Sequence, residues 1–334
     1  MIPEFDFIDS LRADATLPEG VEFGIGDDTA VLADQFDLVT TDMLVEGVHF
    51  RFDYCEPEDV GWKALTASLS DIAAMGGRPG PYVVSVCLGP DHGEELARGL
   101  VDGMRGVVEA HGIGSTVAAI GGDLSSSPGP AVISIALLGT LAGPNPILRS
   151  GAGVGDRIVL VGTPGLSAAG LSIFGGDVDV GDKAVETRLE RSYCRPTAEI
   201  EAGRWIGENA AATAMIDVSD GLIQDLRHVL EESGVGARLE EEALPIAGEL
   251  APVVEALEVD SREFVYGGGE DFCLLACVPP DRLSRLESGA RAAGWPYAVI
   301  GDIVPAETDL EIVDKSGNQL PVPSAGYQHF ADGG

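Results

Sequence analysis

Five short, glycine-punctuated motifs each set an aspartate beside an apolar run. They read Gly24-Ile25-Gly26-Asp27-Asp28, Thr40-Thr41-Asp42, Ser70-Asp71-Ile72-Ala73-Ala74-Met75-Gly76, Gly121-Gly122-Asp123 and Asp217-Val218-Ser219-Asp220-Gly221. Carboxylates spread this widely but set in similar loop-like contexts can converge on one point of a fold, where they would repel strongly without cations between them. Mg²⁺ takes oxygen ligands, keeps several waters and is held by one or two carboxylates while substrate phosphates complete its shell. The chemistry in view is phosphoryl transfer assisted by several Mg²⁺ ions. Other acids look different: Glu240-Glu241-Glu242, Glu231-Glu232 and Glu56-Pro57-Glu58-Asp59 cluster with one another and read as solvated surface.

The elements that must position these residues follow from spacing. A helix is expected over 58–75, with Leu65, Leu69 and Ile72 on one face and Gly76-Gly77 as its stop. Asp71 then falls in the last turn, facing the negative end of the helix dipole at a cost of about 0.3–1 kcal/mol unless a cation sits beside it. Asp220 stands where the N-cap of the following helix belongs, so capping and metal ligation explain it equally well. Asp42 and Asp123 each end a strand-like run; either could close an Asx turn or mount a metal ligand. Gly121 and Gly122 would let a phosphate approach the backbone. No GxxxxGK[ST] loop and no protein-kinase HRD or DFG signature occurs. Phosphate charge must be met by metal ions, backbone N–H groups and an arginine, for which Arg149, beside the glycine-rich turn 151–155, is best placed. Gly267-Gly268-Gly269-Glu270 precedes a further strand, and reads either as backbone packed on a ligand or as a plain loop.

The chain has 334 residues, 45% of them hydrophobic, enough for two cores. Strand signals at 37–42, 82–88, 117–120 and 131–140 alternate with helical spacing at 58–75 and 91–111. Gly143-Pro144-Asn145-Pro146 breaks the pattern, dividing the chain into 1–145 and 146–334. Beyond it, strands are expected at 157–161, 214–217, 237–240, 272–278 and 310–313, with helices at 166–173, 198–208, 220–232 and 281–293. Two α/β halves result, with no evident repeat.

Fifty-five acidic residues stand against 20 basic ones, a formal charge of −35, and the only lysines are Lys63, Lys183 and Lys315. This balance is that of proteins adapted to concentrated salt, which shrinks the Debye length to about 3 Å at 1 M and suppresses self-repulsion. It argues against nucleic acid as a partner. No stretch reaches the roughly 18 apolar residues of a membrane span, and the first residues lack a secretory pattern, so a cytoplasmic location is expected. Five cysteines without a CxxC pair suit a reducing compartment and argue against zinc. Cys273 and Cys277 share one face of a strand and read as core.

Taken in order, GIGDDTAVL, TTDMLVEGVHF, LSDIAAMGG, GGD, RSGA, GDRIVLVGTPGLSAAGL, IDVSDGLIQDL and GGGEDF resemble the thiamine-monophosphate kinases over nearly the whole chain. Their superfamily includes aminoimidazole ribonucleotide synthetase. The resemblance implies a two-domain α/β (α+β) fold whose N-terminal domain pairs with a second copy into a dimeric β-barrel. It implies phosphorylation of thiamine monophosphate to thiamine diphosphate with ATP as co-substrate and Mg²⁺ as cofactor. Carried over residue by residue, it makes Asp28, Thr40, Thr41, Asp42, Asp71, Asp123, Asp217 and Asp220 metal ligands, with Asp42, Asp71, Asp123 and Asp217 central to catalysis. Gly121, Gly122, Asp123, Arg149 and Ser219 would contact ATP, and His49, Glu270 and Tyr327 would face thiamine monophosphate. Read from the residues alone, His49 is a structural histidine and Tyr327 a core or surface tyrosine.

The superfamily offers alternatives. A selenophosphate synthetase would carry a reactive cysteine and lysine near its N-terminus, whereas the first cysteine here is Cys55; the hydrogenase-maturation relative would end in cysteine, whereas this sequence ends Asp332-Gly333-Gly334. An aminoimidazole ribonucleotide synthetase fits the order of the motifs less well. A non-catalytic protein that binds Mg²⁺ and nucleotide is the alternative from outside enzymology, and turnover separates it from a kinase.

Overall fold

Alternation sets the first sheet. In β6 (Val132–Leu141) the side chains of Ile133, Ile135 and Leu137 are buried while their neighbours are half-exposed, the period-two pattern of a sheet covered on one face. The computed structural model describes residues 21–23, 30–32, 36–89, 93–176, 178, 180–323 and 326. Its first sheet has the order β1-β2-β3-β6-β4-β5, with β1 Val21–Phe23, β2 Ala30–Leu32, β3 Leu38–Val45, β4 Gly77–Leu88 and β5 Ala119–Ser126. Helices α1 (Pro57–Ala74) and α2 (Glu94–Ala110) pack on each other, and α1 covers one face of this sheet. A capping box between Glu56 and Asp59 starts α1, and Gly76, at φ +67°, follows its end.

The second sheet runs β13-β12-β9-β11-β7-β10-β8. Its strands are β7 Arg157–Val161, β8 Ala214–Val218, β9 Gly236–Glu240, β10 Cys273–Val278, β11 Tyr297–Val304, β12 Leu310–Val313 and β13 Gln319–Leu320. Every residue of β8 and β10 is buried, because apolar clusters lie on both faces. The helices here are α3 Leu166–Phe174, α4 Lys183–Cys194, α5 Ile200–Glu208, α6 Leu222–Ser233, α7 Ala251–Leu257, α8 Ser261–Gly267 and α9 Pro280–Ala293. Cys273 and Cys277 are core residues, as their spacing predicts.

The halves share apolar surface. Tyr193, Cys194, Ala198 and Ile200 bury into the first core, and Ala73 and Ala74 of α1 join the cluster that holds Met215 of β8 and Leu274 of β10. The end of α1, with Asp71, is thereby fixed against the second sheet. Among the described residues the sheets are open rather than closed barrels, and no helix is long and apolar enough to cross a membrane.

Three local expectations change. β3 continues through Asp42 to Val45, and β5 continues through Asp123 to Ser126 rather than ending at it. Gly122 serves the sheet itself, since a Cβ there would lie 2.2 Å from the Val84 carbonyl oxygen of β4. The N-cap of α6 is Gly221, at φ +124°, and not Asp220. Helix α4 was not signalled because its run is rich in Arg and Glu, and only Leu189, Tyr193 and Cys194 are buried.

Candidate active site

Where β3 and α1 of the first half meet the loops after β8 and before β10 of the second, the chain encloses a cavity of about 490 Å³. Five residues expected at the site line it: Asp42, His49, Ser219, Asp220 and Glu270. They come from four separate segments of the sequence. Two further lining residues, Lys63 and Tyr193, were not singled out from sequence.

Hydroxyl groups orient the aspartates. Ser68 Oγ donates to Asp42 Oδ2 at 2.9 Å, Ser70 Oγ to Asp217 Oδ2 at 2.7 Å, and Thr40 Oγ1 to Asp71 Oδ2. Asp42 and Thr40 point to the helix face of β3, which is why serines and an aspartate of α1 reach them. The donors are all oxygen, which suits Mg²⁺ rather than a softer metal. Among the described residues, no three His, Cys, Asp or Glu side chains are grouped closely enough to hold an ion by themselves.

Asp225, in the first turn of α6, accepts hydrogen bonds from the backbone N–H groups of Ser219, Asp220 and Gly221, each at 3.1 Å. It fixes the loop that presents Ser219 and Asp220 to the cavity. Burial first, then the neighbouring charges of Asp220 and Asp217, hold its carboxyl well above the usual range. The signal available in sequence was a carboxylate within the apolar run Leu222-Ile223-Gln224-Asp225-Leu226.

Lys63 is the buried hub of the opposite wall, 1% exposed. Its Nζ donates to the His49 carbonyl oxygen at 3.0 Å and to Glu270 Oε2 at 2.7 Å, and lies 3.6 Å from the centre of the Tyr193 ring. Tyr193 Oη donates to the same His49 carbonyl at 2.9 Å. The His49 ring accepts from Val45 N–H through Nδ1 at 3.0 Å, so its protonated nitrogen is Nε2. A lysine in mid-helix among Gly61, Trp62, Ala64 and Leu65, in a chain with only three, was the missed signal.

Glu270 is aimed by a tense loop. Glu270 and Phe272 adopt φ of +62° and +52°, each costing about 1–3 kcal/mol, and are held by bonds from their N–H groups to the Ser219 and Val218 carbonyls at 2.7 and 3.0 Å. Gly269 answers to the protein's own backbone, because a Cβ there would lie 2.6 Å from the Ser219 carbonyl oxygen. Asp271 accepts from the Gly165 and Ser167 N–H groups at the start of α3, and burial pushes its carboxyl up to about 7.

Other expected residues lie elsewhere. Asp123 pairs with Ser85, which pairs with Ser134, opposite Met43. That row faces away from α1, so Asp123 and Thr41 occupy the open face of the sheet and Asp42 the helix face. β5 is also three strands from β3, about 14 Å at roughly 4.8 Å per strand. Within one chain, therefore, Gly121, Gly122 and Asp123 are not gathered with Asp42 and Asp71. Arg149 lies at the outer side of β8, where its carbonyl accepts from Ser233 Oγ at 3.0 Å and the Leu148 carbonyl accepts from Met215 N–H. Gly326 packs against the Asp220 carbonyl. Asp28 and Tyr327 lie outside the described residues.

Residues 26–141 match the family model for the AIR synthase related protein N-terminal domain, and 153–313 that for its C-terminal domain. The thiamine-monophosphate kinase of Mycobacterium tuberculosis (strain ATCC 25618 / H37Rv) is 40% identical over 334 residues, covering 98% of this chain and 92% of the relative. That of Bacillus subtilis (strain 168) is 32% identical over 331 residues, covering 98% and 99%. The solved structure of AaThiL complexed with AMPPCP and TMP superposes with a TM-score of 0.82 at 31% identity, covering 98% of this chain and 97% of that one. The structure of a HypE-HypF complex, at 19% identity and a TM-score of 0.71, shares the fold. With both domains matched in order and relatives this similar over their full length, the chain belongs to the thiamine-monophosphate kinases of the AIR synthase related family.

Proposed function

We propose that this chain transfers the γ-phosphoryl group of ATP directly to thiamine monophosphate, forming thiamine diphosphate. The observation that carries the reading is the cavity between the domains, where Asp42, His49, Ser219, Asp220 and Glu270 converge in a chain similar throughout to a protein solved with AMPPCP and TMP. In the reaction, an oxygen of the acceptor phosphate forms a bond to the γ-phosphorus as the bond to the bridging oxygen of ADP breaks. The acceptor's second pKa is near 6, so that oxygen is largely deprotonated at neutral pH and no side chain need act as a base.

The residues then have positioning and electrostatic work. Asp42, Asp71, Asp217 and Asp220, with Thr40, would hold Mg²⁺, which when bound neutralises and aligns the two phosphate groups. Their all-oxygen donor set and the crowding of Asp217 and Asp220 about Asp225 support that assignment. Ser219 would meet the nucleotide. Glu270 suits the cationic thiazolium, and Lys63, which occupies the Tyr193 ring, keeps Glu270 and the His49 backbone in register.

The homodimer belongs to the same proposal. The open sheet face carries Met43, 56% exposed, and Val83, 41% exposed, while β5 is exposed along its whole length. Such a surface, with an edge strand beside it, fits a second copy of the chain. A nucleotide or metal role for Thr41, Gly121, Gly122 and Asp123 then requires contributions across that dimer. The test of the reaction is transfer of label from γ-labelled ATP to thiamine monophosphate, with unphosphorylated thiamine as the competing acceptor. Label in thiamine diphosphate supports the proposal; label in neither acceptor, from folded protein, refutes it.

A further inference from the structure

Outside the cleft, two thiols from opposite halves of the chain meet. Cys55 stands in the turn before α1, with its N–H bonded to the Arg51 carbonyl at 2.9 Å, and Cys194 is the last residue of α4. Their Sγ atoms are 3.4 Å apart across 139 residues of sequence, with exposures of 3% and 6%. The remaining cysteines are arranged differently: Cys273 and Cys277 are sealed in β10 and Cys87 lies on β4.

A second feature gives the pair access. A cavity of about 360 Å³ opens beside Cys194, bordered by Tyr54, Phe174, Arg191 and Arg195. It is wide enough for a small oxidant. The Cys55 thiol is lowered chiefly by the hydrogen bond with Cys194 and further by the Lys63 ammonium and the Arg51 backbone, against the opposing effect of burial. The same hydrogen bond, with burial, raises the Cys194 thiol, so Cys55 is the more acidic member of the pair.

The geometry points to a modification site: Cys55 and Cys194 close into a reversible disulfide under hydrogen peroxide, stapling the two domains beside the substrate cleft. The sulfur that meets peroxide attacks one oxygen, the O–O bond breaks, and the departing hydroxide takes a proton to become water. The resulting sulfenic acid is attacked by the second sulfur, the S–S bond forms, and a second water leaves. Two thiols are oxidised by two electrons and one peroxide is reduced, with two waters as the by-product.

The consequence for the cleft follows from the neighbours. Closing from 3.4 Å to a bonded distance of about 2.05 Å draws the end of α4 toward the start of α1. Tyr193 immediately precedes Cys194, donates to the His49 carbonyl, and carries Lys63 over its ring. The staple therefore shifts the wall that holds Glu270. Loss of one charge-assisted contact corresponds to a decrease of about tenfold in kcat/KM.

The experiment treats the full chain with hydrogen peroxide, alkylates the remaining thiols and maps peptides by mass. The expected product is a Cys55–Cys194 linked peptide lighter by two hydrogens, with Cys273 and Cys277 still alkylated after unfolding. Turnover falls about tenfold and returns with dithiothreitol, and Cys194→Ala keeps its activity in peroxide. Should that variant fail to fold, Cys55→Ala serves, and the linked peptide is read on the unmodified chain in any case. Absence of the linked peptide overturns the site. A linked peptide with unchanged turnover, or equal inactivation of Cys194→Ala, overturns its coupling to the cleft. The linkage is read without any assay of phosphoryl transfer, so a failure of the kinase proposal remains distinguishable.

Discussion

Replacing Lys63 with methionine removes the cation that ties the two halves of the cleft together while keeping most of the buried stem volume. Two charge-assisted hydrogen bonds are lost, to the His49 carbonyl at 3.0 Å and to Glu270 at 2.7 Å, together with the contact over Tyr193. Such bonds contribute about 1.5–3 kcal/mol each. Glu270 is 28% exposed and recovers some hydration, and methionine avoids the desolvation cost of a buried ammonium. These offsets leave a net destabilisation of about 2 kcal/mol. Because Glu270 and the His49 backbone lose their common anchor, kcat/KM for thiamine monophosphate falls by about tenfold or more, while KM for ATP changes little. Urea unfolding in fixed molar KCl measures the first effect and steady-state kinetics the second. In a double-mutant cycle with Glu270→Gln, the coupling exceeds about 1 kcal/mol. A Lys63→Met chain within about 0.5 kcal/mol of the parent, with unchanged kcat/KM, would show that Lys63 does not anchor Glu270 and the His49 backbone.

The other predictions concern the carboxylates. Asp225→Ala leaves the Ser219, Asp220 and Gly221 N–H groups without their shared acceptor, lowering stability by about 2 kcal/mol and raising KM for ATP; an unchanged KM contradicts the role given to that loop. Asp42→Asn lowers kcat by more than about a hundredfold yet leaves unfolding in Mg²⁺-free buffer unchanged or slightly improved, since a repulsive charge is gone; retained turnover denies Asp42 a part in transfer. Burial pushes Glu199 up to about 7, above its unfolded value, so its contribution to stability is complete below about pH 4.3 and is lost as pH rises through 7. Glu199→Gln is accordingly more stable than the parent at pH 8 by about 3–4 kcal/mol and converges with it near pH 4, as paired denaturation curves would show. A constant difference across that range assigns Glu199 no such proton.

What was legible in the sequence was whatever local pattern controls. The apolar spacing of Leu65, Leu69 and Ile72 placed α1 and put Asp71 in its last turn, and the apolar, β-branched run of 131–140 found β6. The carboxylate motifs pointed to Asp42 and Asp220, which do line one cavity. Face and partner were not legible. Gly121-Gly122-Asp123 looks like the close of a strand until β4 is laid beside it, and only the pairing through Ser85 and Ser134 shows that Asp123 faces away from Asp42. Asp220 resembles an N-cap, but the N–H groups of that turn go to Asp225. Lys63 and Tyr193 have no motif, because their roles arise where a helix of one domain meets α4 of the other.

Formation of thiamine diphosphate from ATP and thiamine monophosphate in molar KCl, with and without Mg²⁺, is the decisive assay of the phosphoryl transfer and its metal. The expected product depends on Mg²⁺ and is lost in Asp42→Asn. A folded sample that makes no thiamine diphosphate at any Mg²⁺ concentration, or makes it equally well in the presence of a chelator, is not a Mg²⁺-dependent thiamine-monophosphate kinase.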